Sequence, residues 1–473
     1  MRMKRWKLLP GLIIGGFFCT LFWLGILGEE GRCVVSAKGL SEGILWEREQ
    51  SISEDDLRLY AEAAVLLDGD SGRVLYGKKE DVPLPMASTT KVLTCIVVLE
   101  HADPEEEATV SAYAASMPKV KLYIKKGEKY KVRDLLYSLM LESHNDSAVT
   151  LAEYIGKRYL EQELSDKPTD QYTQEESKKA VAAFARLMNE TAVRLGCEKS
   201  WFITPNGLDA TQEFTLPDGT VIQKEHCTTA EELARILAYC IGDSPKKNEF
   251  LEITGTENYC FSANGRSFSC VNHNAFLRMM EGALSGKTGF TNKAGYCYVG
   301  SLERDGRTFV VALLACGWPN HKTYKWSDTA KLMQYGIDNY FFRKFEEEEN
   351  AFRKELLKPI PVQNGRVDVL GSTAYVEIEL GEKEASEREK NAETMEHCEG
   401  ILMRREEKVE VCFEWEKELT APVEKGKKIG EVTYGVDGMI FRREEIVTAA
   451  EVNAVNLKWC LSEIMDRFLG TVK

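Results

Sequence analysis

Residues 92–99 (Val-Leu-Thr-Cys-Ile-Val-Val-Leu) carry no charge and a single hydroxyl. A helix that is apolar on every side is stable only inside a domain, wrapped by other elements. The run therefore predicts a central buried helix, and the rest of the chain must supply its cover. A proline-punctuated loop, Pro85-Met86-Ala87-Ser88-Thr89-Thr90-Lys91, leads into it, with Ser88 in the first turn. Residues three apart share a helix face, so Lys91 falls beside Ser88. A serine hydroxyl is a poor nucleophile until a neighbouring base takes its proton. A lysine serves as that base once burial and nearby positive charge hold it neutral. The helix N-terminus adds free N–H groups and a positive field where an oxyanion would form.

Ser-x-x-Lys alone is a weak signal. It recurs at Ser116/Lys119 and Ser244/Lys247, each time with a proline inside (Pro118, Pro245) that opposes a continuous helix. Taken singly, even Ser88 and Lys91 read as a serine cap followed by a surface lysine. Two further stretches change the balance. Residues 131–155 predict a helix with Leu135, Leu136, Leu139 and Met140 on its apolar face, broken by the polar cluster Glu142-Ser143-His144-Asn145-Asp146-Ser147. That break is either a helix–turn–helix junction capped by Ser143 or Asn145 or a buried active-site corner. Lys287-Thr288-Gly289-Phe290 then precedes the strand-like Gly295-Tyr296 and the strongly apolar segment 308–315.

A length of 473 residues accommodates two or three domains of roughly 150 residues. The net charge of −14 argues against nucleic acid as a partner and against broad electrostatic adhesion to an anionic membrane. The N-terminus is basic through Lys7, uncharged over residues 8–28, and offers a small-residue cleavage site at Val35-Ser36-Ala37. Residues 1–37 thus predict an export signal, either cleaved or kept as an anchor. Thirteen cysteines, an odd number, exclude complete internal pairing. Cys95 and Cys240 sit in apolar helical runs, whereas Cys260 and Cys270 flank an Asn264-Gly265 turn and are candidates to face each other across a hairpin. No Cys/His spacing resembles a metal site, and no metal or organic cofactor is expected.

In chain order, segments 61–68 and 73–76 form a hairpin about Asp70-Ser71-Gly72, and 160–177 is a polar surface excursion. Helices follow through Ala183, Phe184, Leu187, Met188 and Leu195, and from Thr228 as N-cap, with a tight turn at Thr204-Pro205-Asn206-Gly207 between them. A helix over 329–340 closes the first domain. Beyond a charged linker, strands at 366–370, 373–378 and 409–413, with a charged loop at 381–393, make a small mainly-β domain. The tail, 450–470, carries the stripe Leu457, Leu461, Ile464, Met465 and Phe468. Its polar face mixes Lys458 and Arg467 with Glu463 and Asp466, so it fits both a docked helix and a peripheral membrane anchor.

The ordered set Ser88-x-x-Lys91, Ser143-x-Asn145 and Lys287-Thr288-Gly289 resembles the signature of serine enzymes that acylate on penicillins and on D-alanyl-D-alanine peptides. More specifically, the chain resembles the low-molecular-mass penicillin-binding proteins that are D-alanyl-D-alanine carboxypeptidases. Residues 63–76, 202–209, 287–296 and 419–426 extend the likeness, which covers most of 60–447. The resemblance implies an α+β architecture. After a linker at 38–57, residues 58–343 form a β-lactamase/transpeptidase-like domain, an antiparallel sheet with a helical cluster. A linker at 344–358 leads to the β domain at 359–447 and an amphipathic tail at 448–473.

By the same resemblance, Ser88 is the nucleophile and Lys91 its base, with the N–H groups of Ser88 and Phe290 as oxyanion hole. Ser143 relays a proton to the leaving amine and Asn145 holds the substrate amide. Lys287 and Thr288 receive the terminal carboxylate beside Gly289. The implied partners are peptidoglycan stem peptides ending in D-Ala-D-Ala, β-lactams and, through the tail, a membrane surface. The implied location is the outer face of the cell membrane or the wall of a Gram-positive bacterium. His144 departs from the family's usual small residue, most often glycine. A β-lactamase and a catalytically silent peptidoglycan-binding module are the alternatives on the same fold.

Overall fold

The structure, a computed structural model, describes residues 35–36, 57–215, 220–345, 357–367, 372–381 and 399–470. The apolar leader, the linker before residue 57, the glutamate run at 346–349 and nearly all of the charged loop 381–393 lie outside the described residues. Of the expected cleavage site only Val35 and Ser36 are described, paired with Phe413 and Cys412.

A five-stranded sheet organises the first domain. β1 (Ala63–Asp68) and β2 (Val74–Lys78) form the expected hairpin, whose turn is tied by the Asp68 carboxylate accepting from Asp70 N and Ser71 Oγ. The chain then runs through a 3₁₀ turn, Ala87–Thr90, into α1 (Lys91–His101). α2 (Val132–Leu141), α3 (Asn145–Gly156), α4 (Gln174–Arg194) and α5 (Ala230–Ile241) follow. It returns to the sheet as β3 (Ala283–Thr291), β4 (Gly295–Arg304) and β5 (Arg307–Leu314), before α6 (Tyr324–Asn339). Strand order is β3-β4-β5-β1-β2, antiparallel throughout, which leaves β3 at an edge.

Both sheet faces are covered, so β1 is buried at every position instead of alternating with polar residues. Ala63, Val65 and Leu67 face the helical cluster, while Ala64 and Leu66 join Phe309, Leu332 and Met333 under α6. α1 is buried from Lys91 to Leu99 and touches α2, α3, α4 and α5. The apolar run thus has the cover its sequence demanded. Each fully buried Val, Leu or Ile in it is worth about 1.5–3 kcal/mol of transfer free energy.

Several expectations shift. The polar segment 160–177 yields short helical turns and then the start of α4, capped reciprocally by Thr173 and Glu176. Its first turn faces solvent and so has no apolar period to read. Thr229, not Thr228, caps α5 through Glu232 N, because Thr228 Oγ1 is engaged by Ser200. α6 begins at Tyr324 rather than 329. Cys260 and Cys270 do not face each other: Cys260 pairs with Ser269 and Cys270 with Tyr259, so strand alternation puts one thiol outside and the other inside.

β6 (Phe341–Lys344) pairs with β7 (Gly400–Met403), so the chain crosses into the second domain within a strand rather than at the expected break after 343. β8 (Glu410–Trp415), β9 (Lys428–Val436) and β10 (Met439–Thr448) form the main sheet there, over a core of Ile360, Val411, Phe413, Val432 and Tyr434. Arg366 and Val367, the described part of the expected strand 366–370, lie outside any strand. The tail helix α7 is confined to Leu457–Phe468, because Val452 and Ala454 bridge to Val423 and Gly365.

Candidate active site

The site lies where the Ser88 turn, the α2–α3 corner and β3 meet. Ser88 sits in the 3₁₀ turn rather than in the α-helix itself, and the three-residue spacing still brings Lys91 Nζ to 2.9 Å from Ser88 Oγ. Lys91 is wholly buried, and its Nζ also lies 3.0 Å from Asn145 Oδ1 and 2.6 Å from Asn206 O. Burial, reinforced by the Lys287 charge and opposed by Asp146, holds the Lys91 ammonium well below its ordinary pKa. A neutral amine donates to two acceptors, here Asn145 Oδ1 and Asn206 O. Its lone pair is then left for the Ser88 hydroxyl.

Two glycines let the surrounding backbone close on Ser88. A Cβ on Gly289 would stand 2.9 Å from Ser88 N and 3.0 Å from Met86 O and Thr89 N. On Gly207, which has φ +82°, it would stand 2.0 Å from Ala87 O. The Lys-Thr-Gly strand and the Pro205-Asn206-Gly207 turn are thereby both held against one turn of chain. Lys287 is buried on β3, with Nζ donating to Thr288 O, and burial brings its pKa down to about 7. Thr288 is half-buried, and Phe290 is exposed with its ring on Tyr296.

The polar cluster at 142–147 is a junction between two helices, but neither Ser143 nor Asn145 caps it. His144 occupies the N-cap position and makes no capping bond. Asn145 opens α3 and turns its amide to Lys91 and to Pro118 O. Ser143 has φ +64° and a buried hydroxyl with no hydrogen-bond partner among the described residues. Of the other two Ser-x-x-Lys matches, Ser116/Lys119 reaches this cluster only through Met117 and Pro118, which meet Asn206 and Asn145; among the described residues neither Ser244/Lys247 nor the Ser262/Asn264 pair, which lies in a separate hairpin, bonds to it.

Two contributors escaped the sequence reading. Asn206 enters through its backbone carbonyl, for which the only sequence trace is an Asn-Gly turn. His226 lies behind the site, where its Nδ1 accepts from Ile203 N and its Nε2 therefore donates to Thr90 Oγ1. Burial and the Lys91 charge push its pKa down to about 3, so it stays neutral and braces the turn. A lone histidine carries no sequence mark of that role.

Residues 49–159 and 177–316 match the family model of D-alanyl-D-alanine carboxypeptidase, and 402–454 match the C-terminal domain of penicillin-binding protein 5. The chain is 23% identical over 398 residues to the D-alanyl-D-alanine carboxypeptidase DacF of Bacillus subtilis, covering 83% of this chain and 86% of the relative. It is 30% identical over 281 residues to DacB2 of Mycobacterium tuberculosis, covering 59% and 82%. In fold it is similar to the carboxypeptidase DacD of Francisella tularensis (TM-score 0.57, 21% identity, 89% and 98% covered). It is also similar to penicillin-binding protein 5 of Haemophilus influenzae (0.56, 23%, 84% and 98%). With the family match spanning more than half of the 473 residues, the chain belongs to the serine-type D-alanyl-D-alanine carboxypeptidases of peptidoglycan.

Proposed function

We propose that the cluster around Ser88 removes the terminal D-alanine from stem pentapeptides through a Ser88 acyl-enzyme, and that β-lactams acylate the same hydroxyl. The observation that carries this reading is the buried Lys91 amine, 2.9 Å from Ser88 Oγ with its other two contacts taken by Asn145 and Asn206. Ser88 Oγ attacks the carbonyl carbon between the two D-alanines, and its proton passes to Lys91 Nζ. The N–H groups of Ser88 and Phe290 receive the oxyanion. The C–N bond then breaks, Ser143 relays a proton to the leaving amine, and D-alanine departs. Water cleaves the ester and restores Ser88. Lys287 and Thr288 hold the substrate carboxylate, beside Gly289, and Asn145 its backbone amide.

A β-lactamase needs a placed carboxylate to activate the deacylating water. Asp146 spends both oxygens on the N–H groups of Leu122, Ile124 and Ser147, and among the described residues neither Ser88 nor Lys91 bonds a carboxylate. The carboxypeptidase reading is therefore preferred. Incubating the full-length chain with a peptide ending in D-Ala-D-Ala is expected to release D-alanine, and labelled penicillin should add its mass to the peptide containing Ser88. Labelling elsewhere, or no release, would overturn it.

The two lysines also fix a pH profile. A depressed Lys91 gains the neutral form as pH rises, so acylation increases through its acid limb. Lys287 must stay protonated to attract a carboxylate, so kcat/KM falls once pH passes about 7. The second-order acylation rate is thus expected to be bell-shaped. A flat profile from roughly pH 6 to 10 contradicts a depressed lysine base.

We also propose export and surface attachment. The basic, then apolar N-terminus supports export, and the intact mass of the purified protein tells a cleaved signal from an anchor. Among the described residues no helix is long and apolar enough to cross a membrane. α7 instead exposes Leu457, Leu461, Ile464, Met465 and Phe468. We assign this stripe to a lipid surface. Leu461→Glu/Phe468→Glu should abolish co-sedimentation with phosphatidylglycerol vesicles, and unchanged sedimentation refutes the assignment.

A further inference from the structure

We propose that His144 is a positioning residue for the Ser143 hydroxyl, bracing the α2–α3 corner by accepting a hydrogen bond from Ser138. This rests on the Ser88 reading above and adds a residue to it.

Ser143 is a non-glycine residue at φ +64°, a conformation that persists only where the surroundings over-determine it. The surroundings do so residue by residue. Glu142 Oε1 accepts from Val271 N, and Oε2 meets His273 Nε2. Asn145 N donates to Val120 O, and its side chain spans Lys91 and Pro118 O. Asp146 holds Leu122 N and Ile124 N. Among the described residues the His144 ring has one hydrogen-bond partner, Ser138. Ser138 O accepts from both Glu142 N and His144 N, and Ser138 Oγ lies 2.8 Å from His144 Nδ1 and 2.7 Å from Ser147 Oγ.

Ser138 and Ser147 are wholly buried, so this chain of hydroxyls has no water to fall back on. Running from Ser147 to Ser138 to Nδ1 gives both buried hydroxyl protons an acceptor, whereas the reverse leaves the Ser147 proton without one among the described residues, so we infer the first direction, with the imidazole proton on Nε2. Burial holds the His144 pKa below its ordinary value, with Lys91 and His273 adding to this and Asp146 and Glu142 opposing it. The ring is therefore neutral under working conditions, with Nδ1 as an acceptor. Every side chain from Glu142 to Asp146 is thus fastened except Ser143, whose hydroxyl is left for the substrate.

Substitutions of matched size test this. His144→Leu keeps volume and removes the acceptor, whereas His144→Asn keeps an acceptor near Nδ1. The acylation rate constant of His144→Leu at saturating penicillin should fall on the order of ten- to a hundredfold, with little change in the half-saturating concentration. His144→Asn should restore most of the rate. Ser138→Ala should fall as far as His144→Leu, and the double variant no further. An unchanged His144→Leu, an Asn variant as slow as Leu, or additive losses each overturn the proposal.

Long-range ¹H–¹⁵N spectra of the full-length chain give a readout independent of acylation. They should show the Nε2–H tautomer for His144, with Nδ1 shifting in Ser138→Ala; an Nδ1–H tautomer also overturns the proposal. If the wild type fails to acylate while these signatures hold, the Ser88 reading fails and the brace stands.

Discussion

Lys91→Met is expected to lower penicillin acylation by roughly 10⁴-fold, with Ser88→Ala falling to background and the double variant no worse than Ser88→Ala. Methionine fills the wholly buried lysine stem without bringing a proton acceptor. The Ser88 hydroxyl then keeps its proton, and Asn145 Oδ1 and Asn206 O lose their shared donor. The two residues act as one unit, so their losses should not add. Because a buried amine beside Lys287 is held against its own solvation, Lys91→Met should melt no lower than wild type, as is common where a site trades stability for function. Acylation within about tenfold of wild type would show that some other group takes the proton.

The second large effect is on stability. Arg73, 4% exposed, sits on the β1–β2 hairpin and grips Glu407 of the second domain by two bonds of 2.8 and 2.9 Å. It also donates to Leu402 O, while Asp68 accepts from Leu402 N, so the hairpin engages both the N–H and the carbonyl of one residue of β7. Removing one partner of a buried pair leaves the other charge unmatched, at about 3–5 kcal/mol. Arg73→Met should therefore lower the melting temperature by roughly 10 °C. Arg73→Lys should recover little, since an ammonium cannot fork onto a carboxylate.

Arg73→Met/Glu407→Met should recover most of the loss. Burial alone would raise the Glu407 carboxyl, but Arg73 and the Arg404 N–H more than offset it and its pKa is lowered. A depressed folded pKa means the contribution is present above the unfolded value. It fades as pH falls below the ordinary glutamate range of about 4.3. Calorimetry of the single and double variants checks this, and a single variant melting like wild type would dismiss the pair as the link between domains.

The side chains proposed for catalysis were legible as candidates because their spacing is local in sequence. Ser88 and Lys91 share one turn, Ser143 and Asn145 share one corner, and Lys287, Thr288 and Gly289 run along one strand. The buried helix was legible for a related reason, since an apolar run has only one stable environment. The structure adds why each glycine is needed, as Gly289 and Gly207 touch the Ser88 turn from segments far away in the chain.

What the sequence by itself determined was the central helix, the α+β order of elements and which side chains are candidates for the reaction, all carried by short-range pattern. Only the tertiary structure decided the rest. Asn206 contributes a carbonyl, which every residue has. His226 is kept neutral by burial that no neighbouring residue announces. Cys260 and Cys270 are parted by a register that turns on one residue. His144 changes from an odd residue in a motif to a brace because the chain turns at the end of α2 and brings it back onto Ser138, six residues earlier. Contacts of that kind depend on long-range closure of the chain, and sequence pattern reports only on near neighbours.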